Sequence, residues 1–69
     1  MEMFLIRTAQ SVLNPMTDKA TARRLAEQIA RFALDNWEEM VRRYDTTDCF
    51  TLMEKLTREV IDEGCLEAA

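Results

Sequence analysis

The chain has 69 residues, 48% of them hydrophobic and 32% charged, with a formal net charge of -4, no histidine and two cysteines. This length supports one small domain at most, and such a domain buries only about 60% of the surface its unfolded chain exposes. A structural zinc site is not expected, since no histidine and no second cysteine pair stand beside Cys49 and Cys65.

Residues 1–14 form a first unit, closed by Asn14-Pro15 because the residue before a proline is driven out of the helical region. Leu5, Ala9, Val12 and Leu13 fit one face of a short helix, whereas Phe4, Leu5 and Ile6 together suit an extended arm laid on a neighbour. The helix is the favoured reading, and the arm stays open. The apolar run from Met3 to Ile6 is too short for a signal peptide or a membrane span, so a cytoplasmic protein is expected.

From Thr17 or Asp18 to Tyr44 the pattern predicts one long helix of about seven turns, capped by Thr17 or Asp18. Ala22, Leu25, Ala26, Ile29, Ala33, Trp37, Met40 and Tyr44 recur at spacings of three and four. Arg24, Glu27, Arg31, Asp35, Glu38 and Arg42 lie opposite, and ion pairs are expected between Glu27 and Arg31, Glu38 and Arg42, and Glu39 and Arg43. That side is read as a solvated face.

Asp45-Thr46-Thr47-Asp48 breaks the pattern and reads as a tight connection whose carboxylates cap the next helix. A second helix is predicted over 48–63, with Cys49, Leu52, Met53, Leu56 and Val60 on one face and Gly64 as its C-terminal cap. Residues 64–69 are left as a tail. A disulfide between Cys49 and Cys65 would have to span that helix, more than about 20 Å at 1.5 Å per residue, so two reduced thiols are expected.

The fold class is therefore all-α, a single domain over 1–69. Its architecture is a helical hairpin with a short N-terminal helix or arm. The longer helix overhangs the shorter through Ala22, Leu25, Ala26 and Ile29, and its apolar sector is widened by Ala30, Leu34, Val41 and Phe32. More than one neighbour is implied: either the second helix and residues 1–14 take up this whole surface within the chain, or, as the favoured reading has it, a homodimer closes a four-helix bundle. Leu25, Ile29, Ala33, Trp37, Met40 and Tyr44 are the expected seam. Phe50 and Ile61 form an edge beside Glu54 and Asp62 that reads either as a flank of the core or as a patch; with Phe32, Glu54 and Asp62 they are the candidates for a partner with a basic surface. Trp37 and Tyr44 suit either a core or a binding hot spot.

Enzyme chemistry finds no purchase: there is no histidine for proton transfer, no Gly-rich phosphate loop, and no Ser or Cys beside a base. No cofactor and no metal are expected. Seven acids from Asp45 onward against Lys55 and Arg58 repel phosphate backbones and anionic lipid, so neither direct nucleic-acid nor membrane binding is expected.

An Arg-rich yet acidic helical hairpin of this length, with Ala22 to Ala33 leading into Trp37-Glu38-Glu39-Met40, resembles the small host-takeover proteins of temperate phages, including the anti-quorum-sensing type of Pseudomonas phages. The resemblance implies a homodimer in the cytoplasm of a bacterial host. It further implies binding to the DNA-binding region of a LuxR-type quorum-sensing activator, which blocks promoter binding, and inhibition of the ATPase that assembles type IV pili. A small DNA-binding transcriptional regulator and a structural subunit of a larger complex are the readings kept open beside it.

Overall fold

The computed structural model describes residues 2–63, with Glu2 described in its backbone alone, which puts Gly64, Cys65 and the tail 64–69 outside the described residues. Four helices follow one another, and no strand occurs among the described residues: α1 (Glu2–Leu13), α2 (Lys19–Asp35), α3 (Trp37–Tyr44) and α4 (Cys49–Asp62).

The first segment is a helix and not an arm. Leu5, Ile6, Ala9 and Leu13 share one face, and all four are buried. The chain leaves α1 at Asn14-Pro15, where Asn14 N–H still donates to the Gln10 carbonyl at 2.8 Å before proline ends the ladder.

Two helices begin with the same device, Asp-x-x-Thr. The Asp18 carboxylate accepts from the backbone N–H of Thr21 at 3.0 Å and from its hydroxyl at 2.7 Å. Asp48 repeats this with Thr51, at 3.0 Å to the N–H and 2.6 Å to the hydroxyl. Each carboxylate takes up an N–H that has no intrahelical partner and places negative charge at the positive end of its helix. In both, the hydrogen bond from the threonine hydroxyl, followed by that from its backbone, holds the carboxyl below the usual aspartate pKa.

The long helix expected over 17–44 is instead two helices separated at Asn36, whose φ of -125° leaves the helical region. Its backbone N–H and its side-chain Nδ2 both donate to the Phe32 carbonyl, at 3.1 and 3.0 Å. A side chain that bonds its own preceding turn competes with the helical ladder, which is why asparagine tolerates such a break. Met40 N–H resumes the ladder on the Asn36 carbonyl at 2.9 Å. An unbroken helix over 17–44 would run about 42 Å, longer than the 32 Å of the molecule's greatest extent. The break lets α3 turn back onto α4.

The turn from α3 to α4 is as short as expected, and Asp45 makes it in the left-handed region at φ 53°. Thr46 N–H then closes the end of α3 onto the Val41 carbonyl at 3.3 Å.

The core also differs from a hairpin with an accessory segment. α1 packs against both α2 and α4 more extensively than those two pack against each other. Leu5, Ile6, Ala9 and Leu13 meet Ala22, Ala26, Ile29, Ala30 and Ala33 of α2 and Leu52, Met53 and Leu56 of α4 in one continuous cluster. The alanines of α2 let the α1 backbone come close, since the separation of packed helices follows the size of the side chains between them. The one buried hydroxyl, Thr57, donates to the Met53 carbonyl at 2.7 Å. No buried side-chain polar atom of the described residues is left without a partner. The radius of gyration, 11.1 Å, matches the roughly 11 Å expected for a compact chain of this length.

Candidate protein-binding surfaces

Because α1 closes the core, much of the expected dimer seam is covered within the chain. Ile29, Ala33 and Met40 are buried, and only Leu25, Trp37 and Tyr44 keep part of their surface open while packing on the core from its margin. The expected partner-binding residues do not form one patch either. Phe32 lines a groove framed by α2, α3 and α4, Phe50 and Glu54 line a shallower one between α1 and α4, and Ile61 is partly buried against the core, next in sequence to the exposed Asp62.

The α2–α3–α4 groove has a volume of about 410 Å³. Its apolar lining comes from Ile29, Phe32, Met40, Leu56 and Val60, with Phe32 half-exposed. Three carboxylates, Glu39, Glu59 and Glu63, share its margin with one cation, Arg43. The cation is already engaged: Arg43 pairs with Glu59 across the α3–α4 interface and lies 5.8 Å from the centre of the Tyr44 ring. The Tyr44 hydroxyl donates to the other Glu59 oxygen at 2.5 Å. Burial raises the Tyr44 pKa, and the nearby Glu63 charge adds to this against the opposing pull of Arg43. The groove thus offers an apolar floor and an aromatic ring under a net negative margin.

On the α1–α4 side, Phe4 and Phe50 meet edge to face, 4.5 Å between ring centres at 86°. Such pairs are worth about 0.5–1.5 kcal/mol beyond the area they bury. Both rings remain half-exposed. Phe4, on α1, is thus what packs against Phe50 outside the main stripe of α4.

A third groove, about 580 Å³, runs between α1 and α2 and has the opposite polarity: Arg23, Arg24 and Arg31 line it, with Glu27 the single carboxylate among the described lining residues. The expected helical pairs are not the ones formed. Glu27 takes Arg23 at 3.4 Å instead of Arg31, and Arg43 reaches Glu59 on α4 in place of Glu39. The i to i+4 rule permits either neighbour of Glu27, so the sequence could not choose between them. Glu59, which organises the α3–α4 margin, carried no signal in the sequence beyond its charge.

Cys49 is half-buried against the core, in the role of a small apolar residue; Cys65, its one possible partner, lies outside the described residues. No group of side chains that could hold a metal ion occurs among the described residues, and no helix there is long and apolar enough to cross a membrane. Comparison with family models, with curated proteins and with solved structures gives no match.

Proposed function

We propose that the protein is a non-enzymatic inhibitor that covers a functional surface of a host protein, and that the α2–α3–α4 groove is the surface it uses. The observation that carries this reading is the half-exposed Phe32 in an apolar groove whose margin holds three carboxylates against one already paired arginine. An aromatic anchor beside uncompensated negative charge suits a basic amphipathic helix, with the anchor supplying affinity and the charge supplying encounter rate and orientation. The DNA-reading helix of a LuxR-type activator has that chemistry, and covering it would keep the activator off its promoter. The resemblance to phage host-takeover proteins adds the type IV pilus ATPase as a second target.

The test is a mobility-shift assay with the DNA-binding domain of a LuxR-type activator on its promoter duplex. Added protein should release the duplex, and Phe32→Ala should raise the concentration needed by about thirtyfold, the equivalent of a 2 kcal/mol hot spot. An activator that stays on DNA at saturating protein would remove the LuxR target. ATP hydrolysis by the pilus ATPase, with and without the protein, tests the second target.

Self-association into a homodimer belongs to the same reading, supported by the open surface of Leu25 and Trp37, outside the groove lining, and by exposed Leu34. Since the core is closed by α1, the dimer adds to a fold that stands without it. Sedimentation equilibrium over a dilution series should therefore show mass falling toward 8.1 kDa while helicity stays constant.

A further inference from the structure

The cationic groove between α1 and α2 lies on the other flank of α2 from the acidic one, and Gln28 lines both. We propose that it is a second protein-binding site, one that takes an acidic amphipathic helix of a partner.

Among the described lining residues, three guanidiniums face one carboxylate there. Glu27 is engaged with Arg23, and neither Arg24 nor Arg31 forms an ion pair with the described residues. Arg24 and Arg31 stand seven positions apart on α2, two turns or about 10 Å along one stripe. That separation matches two carboxylates seven positions apart on a partner helix. Each arginine can take a carboxylate through two parallel N–H bonds. Beside them Met3 is 59% exposed above buried Ile6, so the groove also offers apolar surface, and methionine adapts readily to apolar residues of varied shape.

A phosphate backbone would satisfy the arginines and leave Met3 with nothing to cover it. It would also meet a chain of net charge -4. A helix carrying acids on one stripe and apolar residues on the next satisfies both halves of the groove.

The probe is a fluorescent synthetic helix of about four turns, with glutamates along one stripe and leucines along the adjoining one, titrated with the full chain and read by anisotropy. Saturable binding is expected. Arg24→Gln with Arg31→Gln should weaken it on the order of tenfold or more with unchanged circular dichroism, since both side chains are exposed. Arg24→Lys with Arg31→Lys keeps the charge but loses the fork, and should fall between. Phe32→Ala should leave this binding unchanged, which separates the site from the acidic groove. The proposal is overturned if the probe does not bind, if its glutamine version binds equally well, or if the double glutamine variant binds as the parent does. A short DNA duplex that binds more tightly than the probe and depends on Arg24 and Arg31 would assign the groove to nucleic acid instead.

Discussion

Deleting residues 1–14 should unfold the whole chain. Leu5 is 1% exposed and Leu13 fully buried, in contact with α2 and α4 residues that are themselves inaccessible. Replacing either leucine by alanine should cost about 2–5 kcal/mol, from lost transfer energy plus the cavity left behind. At about 0.05–0.15 kcal/mol per residue, a domain of this length is stable by roughly 3–10 kcal/mol in total. Leu5→Ala alone therefore removes a large share of that stability, and the two changes together, at about 4–10 kcal/mol, are comparable to the whole of it. Urea unfolding followed by circular dichroism measures the single variants. Phe4→Ala, which trims a half-exposed ring, is the control and should cost far less than Leu13→Ala. The truncated chain should show no cooperative transition at all, because Ala22, Ala26, Leu52 and Met53 would lose their cover and α2 and α4 touch each other little. A truncated chain that keeps most of its helicity and unfolds cooperatively would refute the central place given to α1.

Three further results are expected. The lowered pKa values of Asp18 and Asp48 mean that the unfolded chain takes up these protons first, at about pH 3.9, so their stabilisation is present above that value and is lost as pH falls through the lower folded pKa. Asp18→Asn with Asp48→Asn keeps the caps but removes the titration, and the drop in thermal midpoint on acidification should shrink; an unchanged drop would place the acid sensitivity elsewhere. Tyr44 is the single tyrosine, and its raised pKa predicts a phenolate absorbance midpoint above about 10, with the associated stability present below that pH and lost as pH rises through the folded value; a midpoint at or below the ordinary one would contradict the burial argument. Asp45→Gly relieves a left-handed residue and should raise stability by up to about 1 kcal/mol after the entropy of the added glycine is counted, seen as a higher urea midpoint with unchanged slope.

The helical class, the turn at Asp45-Asp48 and the stripe of α4 were legible because each rests on local chemistry: an acid before a threonine, a cluster of poor helix formers, and apolar residues at helical spacing. The break at Asn36 was not. Asparagine in a helix costs less than about 0.7 kcal/mol relative to alanine, and Ala33, Trp37 and Met40 keep their spacing of four and three straight across it. The periodic signal runs through the interruption, and what decides the break is the packing of α3 on α4, a tertiary effect. The role of α1 was hidden for a related reason. Its buried face is short and includes a single alanine, Ala9, which reads as weak in isolation but is what a close approach to the alanines of α2 requires.

The same packing explains why the candidate surfaces lie where they do. A helix that presents Ala22, Ala26, Ala30 and Ala33 to its neighbour consumes little side-chain volume inside, so its long side chains all project from the flanks. On one flank stand Ile29 and Phe32 toward α3 and α4, where Glu59 and Glu63 supply acid; on the other stand Arg24 and Arg31 toward Met3 and Ile6 of α1, with Glu27 the single carboxylate among the described lining residues. Segregation of charge then follows from topology, because Glu39 of α3, Glu59 of α4 and Glu63 just past it all meet the same flank of α2. Had α1 been an arm on another chain, both flanks would be open and the apolar sector of α2 would itself demand a partner. With α1 in place that demand is met internally, and what α2 leaves to solvent is a pair of grooves that differ in sign.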